Sequence, residues 1–149
     1  MFERIDFGSD VSVYQQIKNL VQFAIAAGAL EGGDPLPSVM KFAERLGVNQ
    51  NTIAKAYRDL VMVGHVKGMR GQGHVVEEGV RAACREQCWE RIIARLYEAA
   101  GEARAAGLPQ KTINEVVRAA YGSETSPYGP APESVLALAV KEGASKRGA

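Results

Sequence analysis

Hydrophobic positions along this chain follow two rhythms. Between Val13 and Ala27 they fall at Tyr14, Ile17, Leu20, Val21, Ala24 and Ile25, the three-and-four spacing of a helix with one buried face. Ser12 stands three residues before Gln15, the form of a capping box, and Gly28 marks the helix end. Phe42, Ala43 and Leu46 predict a short second helix, opened by Ser38 as a cap and closed by Gly47. Asn49 is placed to cap a third, whose apolar positions are Ile53, Ala56, Tyr57, Leu60 and Val63 and which ends at Gly64. The rhythm then shortens to two. His65–Met69 and His74–Glu77 alternate as strands, with Arg70-Gly71-Gln72-Gly73 at the tip between them. Helical spacing returns from Val80 to about Ala106, with Cys84, Cys88, Ile92, Leu96, Ala99 and Ala103 on one stripe that Ile93 and Tyr97 widen. It recurs from Lys111 to Tyr121 with Ile113, Val116, Val117 and Ala120.

Punctuation divides these elements. A short lead, extended at Ile5–Phe7, precedes the first helix. AGALEGGDPLPS reads as turn chemistry throughout, and Gly107-Leu108-Pro109 breaks the long helix. Glu78-Gly79 reads as a domain boundary. GSETSPYGPAPE has linker composition, Ser134–Val140 has the apolar content of a short helix, and KEGASKRGA reads as a disordered end. Two short helices around a glycine turn form a helix-turn-helix, and the trailing hairpin makes it a winged one. The expected fold is therefore mostly α with a small β wing: a winged helix-turn-helix over 1–79, a two-helix dimerisation tail over 80–121 and a flexible tail over 122–149. The stripe on the long helix needs a partner, either the winged helix or a second copy of the chain.

Composition adds a few constraints. The chain has 149 residues and a formal net charge of +1, so global charge says little about partners. Local charge says more: Lys41, Arg45, Lys55, Arg58, Lys67 and Arg70 face only Glu44 and Asp59 between Lys41 and Gly73, which leaves the remainder net acidic. That basic patch lies where a winged helix meets duplex DNA. The two cysteines stand four residues apart on a helix, a poor span for a disulfide, as suits a reducing cytoplasm. No apolar run approaches the ~18 residues of a spanning helix, and MFERIDFGSD lacks the basic start and apolar centre of a signal peptide. A cytoplasmic protein with no membrane partner is expected.

The candidate chemistry is recognition rather than catalysis. Gln50 and Asn51 carry paired donors and acceptors suited to adenine, at the start of the helix that this motif lays in the major groove. Thr52 adds a hydroxyl at the same helix start, where a phosphate is also favoured. Capping and solvation are the plain alternative, and capping suffices for Asn49. Arg70 at a glycine-flanked tip suits a minor groove or a phosphate. His65 and His74 stand as possible neighbours across the hairpin, but a metal site there is not expected. GMRGQG lacks the trailing Lys-Ser/Thr and following helix of a phosphate loop. No catalytic constellation or cofactor motif is present, so no enzyme is expected. Cys84 and Cys88 suit small apolar interface positions better than a thiol sensor or soft-metal site.

VYQQIKNLVQFAIAAGALEGGDPLPS, FAERLGVNQNTIAKAYRDL and GHVKGMRGQGHVV together resemble the GntR family of bacterial transcription regulators, nearly without gaps from Val13 to Val76. The short tail and the phrase VNQNTIAKAYRDL are similar to its YtrA-like branch. The resemblance implies a homodimer that binds an inverted-repeat operator, mostly as a repressor. It implies DNA contacts from Ser38, Lys41, Gln50, Asn51, Thr52, Lys55, Arg58, Arg70, Gly71 and Gln72. Two positions depart from the family pattern: Met40 stands where Arg is usual, and Gln50 where Arg or Pro is. Both shift contacts from cationic to neutral. Two other readings stay open, a winged-helix module for protein interaction and a thiol- or ligand-responsive switch acting through the tail helices.

Overall fold

The computed structural model describes residues 5–122. The linker expected after Gly122, the short helix expected at Ser134–Val140 and the last residues lie outside them. The chain divides into two compact units that part between Arg91 and Ile92.

In the first unit, α1 spans Val13–Ala26 and is capped by Ser12, whose hydroxyl accepts the Gln15 N–H at 3.1 Å. The Gln15 amide donates onward to Asn19 Oδ1 at 2.9 Å. Ile17, Leu20, Val21, Ala24 and Ile25 are buried as their spacing requires, each such side chain contributing roughly 1.5–3 kcal/mol when branched. The same face buries Gln16, Asn19 and Gln22, which the apolar pattern could not announce. Gln16 accepts the Asp6 N–H at 2.9 Å and donates to the Asp6 and Val11 oxygens at 2.8 Å each. The lead expected as an extended piece at Ile5–Phe7 is thus no strand; a glutamine side chain pins it.

Helix α2, Val39–Leu46, buries Phe42, Ala43 and Leu46, with Ser38 accepting the Lys41 N–H at 3.2 Å and Gly47 at φ +67° in the left-handed turn. Helix α3, Gln50–Met62, is capped by Asn49, which accepts the Asn51 N–H at 2.8 Å. Ile53, Ala56, Tyr57 and Leu60 are fully buried. Val63, expected to continue that face, is 50% exposed because it lies past the last turn, where helical phase no longer governs.

Strands β1 (Val66–Met69) and β2 (Gly73–Val76) pair antiparallel, with Val66 opposite Val76 and Gly68 opposite His74. The tip closes with the Gln72 N–H on the Met69 oxygen at 3.0 Å, Gly71 taking the φ of +83° that a type II turn puts at its third position. The segment before α2, read from sequence as turn alone, joins the edge of the hairpin through an isolated β-bridge. Pro35 bridges to Val75, the Leu36 N–H reaches the His74 oxygen at 2.8 Å, and the Val76 N–H reaches the Asp34 oxygen at 2.9 Å. Proline is tolerated here because its neighbours make the ladder bonds.

Helix α4 spans Arg81–Ala105, and its two buried residues are Cys84 and Cys88, both in the first unit. In the second unit its remainder leads through Gly107, at φ +79°, to α5, Gln110–Gly122.

Candidate nucleic-acid interface

Spacing within α3 sorts its side chains into two faces. Ile53, Ala56, Tyr57 and Leu60 point into the core, and Asn51, Lys55, Arg58 and Met62, at steps of four, three and four, share the opposite exposed face. Gln50 is exposed at the first helical position and Thr52 is half-buried on a flank. Ser38 and Lys41 sit exposed at the start of α2. The Ser38 oxygen is occupied as a cap, but its O–H is still a donor that a phosphate could take. Arg70, Gly71 and Gln72 are exposed at the wing tip. All ten residues expected at DNA therefore belong to the first unit, and none is buried.

The electrostatics of this surface depend on residues the sequence did not single out. Lys55 Nζ lies 4.5 Å from the centre of the Tyr14 ring, and Lys18 Nζ lies 5.2 Å from it. A cation over a ring is held electrostatically, so α1 orients a lysine of α3. Lys18 also meets Asp59 at 3.8 Å. Its pKa is nevertheless below the ordinary lysine value, through partial burial first and then the charges of Arg91 and Lys55, which so long an ion pair does not offset. Spacing alone groups Tyr14 with the apolar stripe; its position at the stripe's edge, half-buried, is the signal that separates it. Lys67 contributes less to the patch than its charge suggests, because it pairs with Glu77 at 3.4 Å. Met40 and Met62 are 64% and 82% exposed, so neutral side chains border the cations.

His65 and His74 are not neighbours. His65 lies one residue ahead of β1 and is buried, its Nδ1 3.2 Å from the Gln22 amide nitrogen, while His74 meets the Tyr57 ring edge-on at 4.9 Å. Among the described residues no group of three or more His, Cys, Asp or Glu is placed to hold a metal ion.

The stripe expected on α4 splits. Cys84 and Cys88, expected on a dimer face, are instead buried within the first unit of their own chain, at 0% and 1% exposure, with Cys84 Sγ 3.4 Å from the Gln22 oxygen. Arg91, one turn on, donates to Asn19 Oδ1 at 2.8 Å. The Cys84 hydrogen bond, with Arg91 nearby, outweighs burial and lowers the Cys88 thiol, while the same bond and burial raise Cys84. Farther along, Ile93, Leu96 and Tyr97 are exposed, with Ile92 and Ala103 half-buried and Ala99 exposed. Trp89, which the stripe omitted, is exposed with Arg85 5.3 Å over its ring.

Residues 13–76, from the start of α1 to the end of β2, match the family of bacterial regulatory proteins named gntR. A GntR family transcriptional regulator from Listeria monocytogenes has a similar structure at a TM-score of 0.58 and 31% identity, covering 75% of this chain and 97% of that one. The chain belongs to the GntR family. The transcriptional repressor YtrA of Bacillus subtilis is 29% identical over 115 residues, 77% of this chain and 88% of that protein. So long an alignment reaches past the wing into the helical tail. The uncharacterised regulator YhcF of the same organism is 36% identical over 72 residues, 48% of this chain and 60% of that protein. The GntR-family chain is a DNA-binding transcriptional regulator and not an enzyme. Among the described residues no helix is long and apolar enough to cross a membrane.

Proposed function

We propose that the protein is a homodimeric repressor that reads an inverted-repeat operator in the cytoplasm. The observation that carries this is the exposed face of α3, where Asn51, Lys55 and Arg58 line up opposite a fully buried core face. Gln50 and Asn51 read base edges at the helix start, and Thr52 with the Ser38 O–H binds phosphate there. Lys41, Lys55 and Arg58 neutralise phosphates, and Arg70, with Gly71 and Gln72, follows the backbone or enters the minor groove at the wing. The domain arrangement is a DNA-binding winged helix through Gly79, a helical dimerisation segment over 80–121 and a tail beyond it. Dimerisation rests on Ile92, Leu96, Ala99 and Ala103 with Ile93 and Tyr97; large apolar side chains this exposed on one helix favour a second copy, and two recognition helices then meet two half-sites. Repression is supported by similarity to YtrA, itself called a transcriptional repressor.

The test is selection of duplexes from a random library, followed by affinity for selected and random DNA at two salt concentrations. A regulator of this kind loses affinity steeply with salt and binds the selected duplex at least about 1,000-fold more tightly. Salt-independent or absent duplex binding would instead indicate a winged-helix module for protein interaction.

A further inference from the structure

Both cysteines of the chain lie on α4, one turn apart, and they are that helix's two buried residues. Both thiols are buried on the same face of the helix, and the Cys84 thiol donates to the main-chain oxygen of Gln22 at 3.4 Å. The surroundings are not an ordinary apolar seam. Gln22 Oε1 is buried without a hydrogen-bond partner, and so is Nε2 of His65, the residue that Gln22 holds through its amide at 3.2 Å. Gln22 thus stands between the two elements, its main-chain oxygen on the Cys84 thiol of α4 and its side-chain amide on the His65 imidazole at the base of the wing. A hydrocarbon filling of the same space would avoid the cost of unpartnered polar atoms.

We propose that Cys84 and Cys88 form a dithiol site that captures a thiophilic species of the trivalent arsenical class through both sulfurs, and that capture weakens DNA binding through Gln22. The second half rests on the function proposed above. The geometry favours chelation over a disulfide. Residues four apart on a helix rise about 6 Å with roughly parallel side chains, whereas a disulfide draws its β-carbons to about 3.8 Å. A bridging atom, with bonds about as long as the 2.3 Å of zinc to thiolate, leaves the sulfurs near contact distance and the helix intact. Zinc itself asks for four ligands, and no third metal-ligating side chain joins the pair among the described residues. An arsenical bearing one organic group needs two sulfurs. Its dihydroxy form loses two As–O bonds and gains two As–S bonds, the thiol protons leave in two waters, and arsenic stays trivalent throughout.

Capture removes the thiol hydrogen bond from the Gln22 oxygen and adds bulk to the seam. Gln22 holds His65, and the His65 oxygen receives the Glu77 N–H at 3.0 Å, the bond that closes the wing at its base. A displaced Gln22 therefore moves the anchor of the wing.

The experiment uses the full chain, phenylarsine oxide and an excess of glutathione, a monothiol. One arsenical per chain should be retained, both thiols should disappear together from a thiol titration, and a dithiol should strip the arsenical off. Cys84→Ala and Cys88→Ala should each abolish retention. The loaded protein should bind its selected duplex at least about tenfold more weakly, with recovery on adding the dithiol. Removal by glutathione alone, or retention by either variant, would overturn the site; the glutathione arm uses only the unaltered chain and stands even if a variant fails to fold. Unchanged duplex affinity on loading would overturn the coupling. Absence of duplex binding before loading would overturn the proposed function, and the coupling with it, while the capture measurement stands by itself.

Discussion

The Tyr57 hydroxyl donates to the main-chain oxygen of Pro37 at 2.7 Å, tying the middle of α3 to the residue just ahead of the α2 cap. Its ring is fully buried, 6.1 Å from the Phe42 ring and 4.9 Å from that of His74, so one side chain registers α2, α3 and the wing. Burial pushes its pKa well above the ordinary tyrosine value, which keeps the hydroxyl a donor at any working pH. Tyr57→Phe preserves the ring and removes the bond, and should cost about 1–2 kcal/mol in urea unfolding. An unchanged unfolding midpoint would show that water replaces the hydroxyl without loss.

The recognition face separates two kinds of contact. Arg58→Ala should weaken binding to selected and random duplex alike and lower the salt slope by about one. Asn51→Ala and Gln50→Ala should each cost roughly 1–3 kcal/mol on the selected duplex and little on random DNA. If both leave the specificity ratio intact, base reading belongs to Lys55, Arg58 and the wing.

Dimerisation is tested on the exposed stretch of α4. Leu96→Glu and Tyr97→Glu each place a charge on an exposed apolar side chain, at 57% and 83% exposure, outside the core of the first unit. Sedimentation should find these variants monomeric and the parent dimeric. Persistent dimers in both would move the interface elsewhere.

His65 gives the fold an acid limit. Burial, and then the charge of Lys18, hold its folded-state pKa below the ordinary value of 6.5. The unfolded chain therefore takes up that proton more readily. The stability this contributes is complete above the unfolded pKa and is lost as pH falls toward the folded one. Urea midpoints measured at about pH 7.5 and about pH 5.5 should differ for the parent by more than for His65→Gln. Equal differences would assign the acid sensitivity to other groups.

Much of this architecture is legible in the sequence because it is local. Ser12, Ser38 and Asn49 cap the helices their positions announce, since a cap needs only its own next few residues. The buried faces of α1, α2 and α3 follow from spacing, and the glycine of the wing tip follows from the φ its turn demands. The exposed recognition face is the complement of a buried one, so the same periodicity yields it.

What tertiary structure alone decided involves partners distant in the chain. The bridge between Asp34–Leu36 and the hairpin exists because β2 offers a free edge, which turn-forming residues do not reveal. Periodicity says that one side of α4 is apolar, but not which neighbour covers which part. Packing against α1 takes Cys84 and Cys88 into the first unit and leaves Ile93, Leu96 and Tyr97 exposed. Gln22 and His65 stand 43 positions apart, and only folding brings them together. Local spacing fixes which face of an element is apolar; the long-range choice of partner, made by packing and by the pairing of buried polar groups, fixes what that face is for.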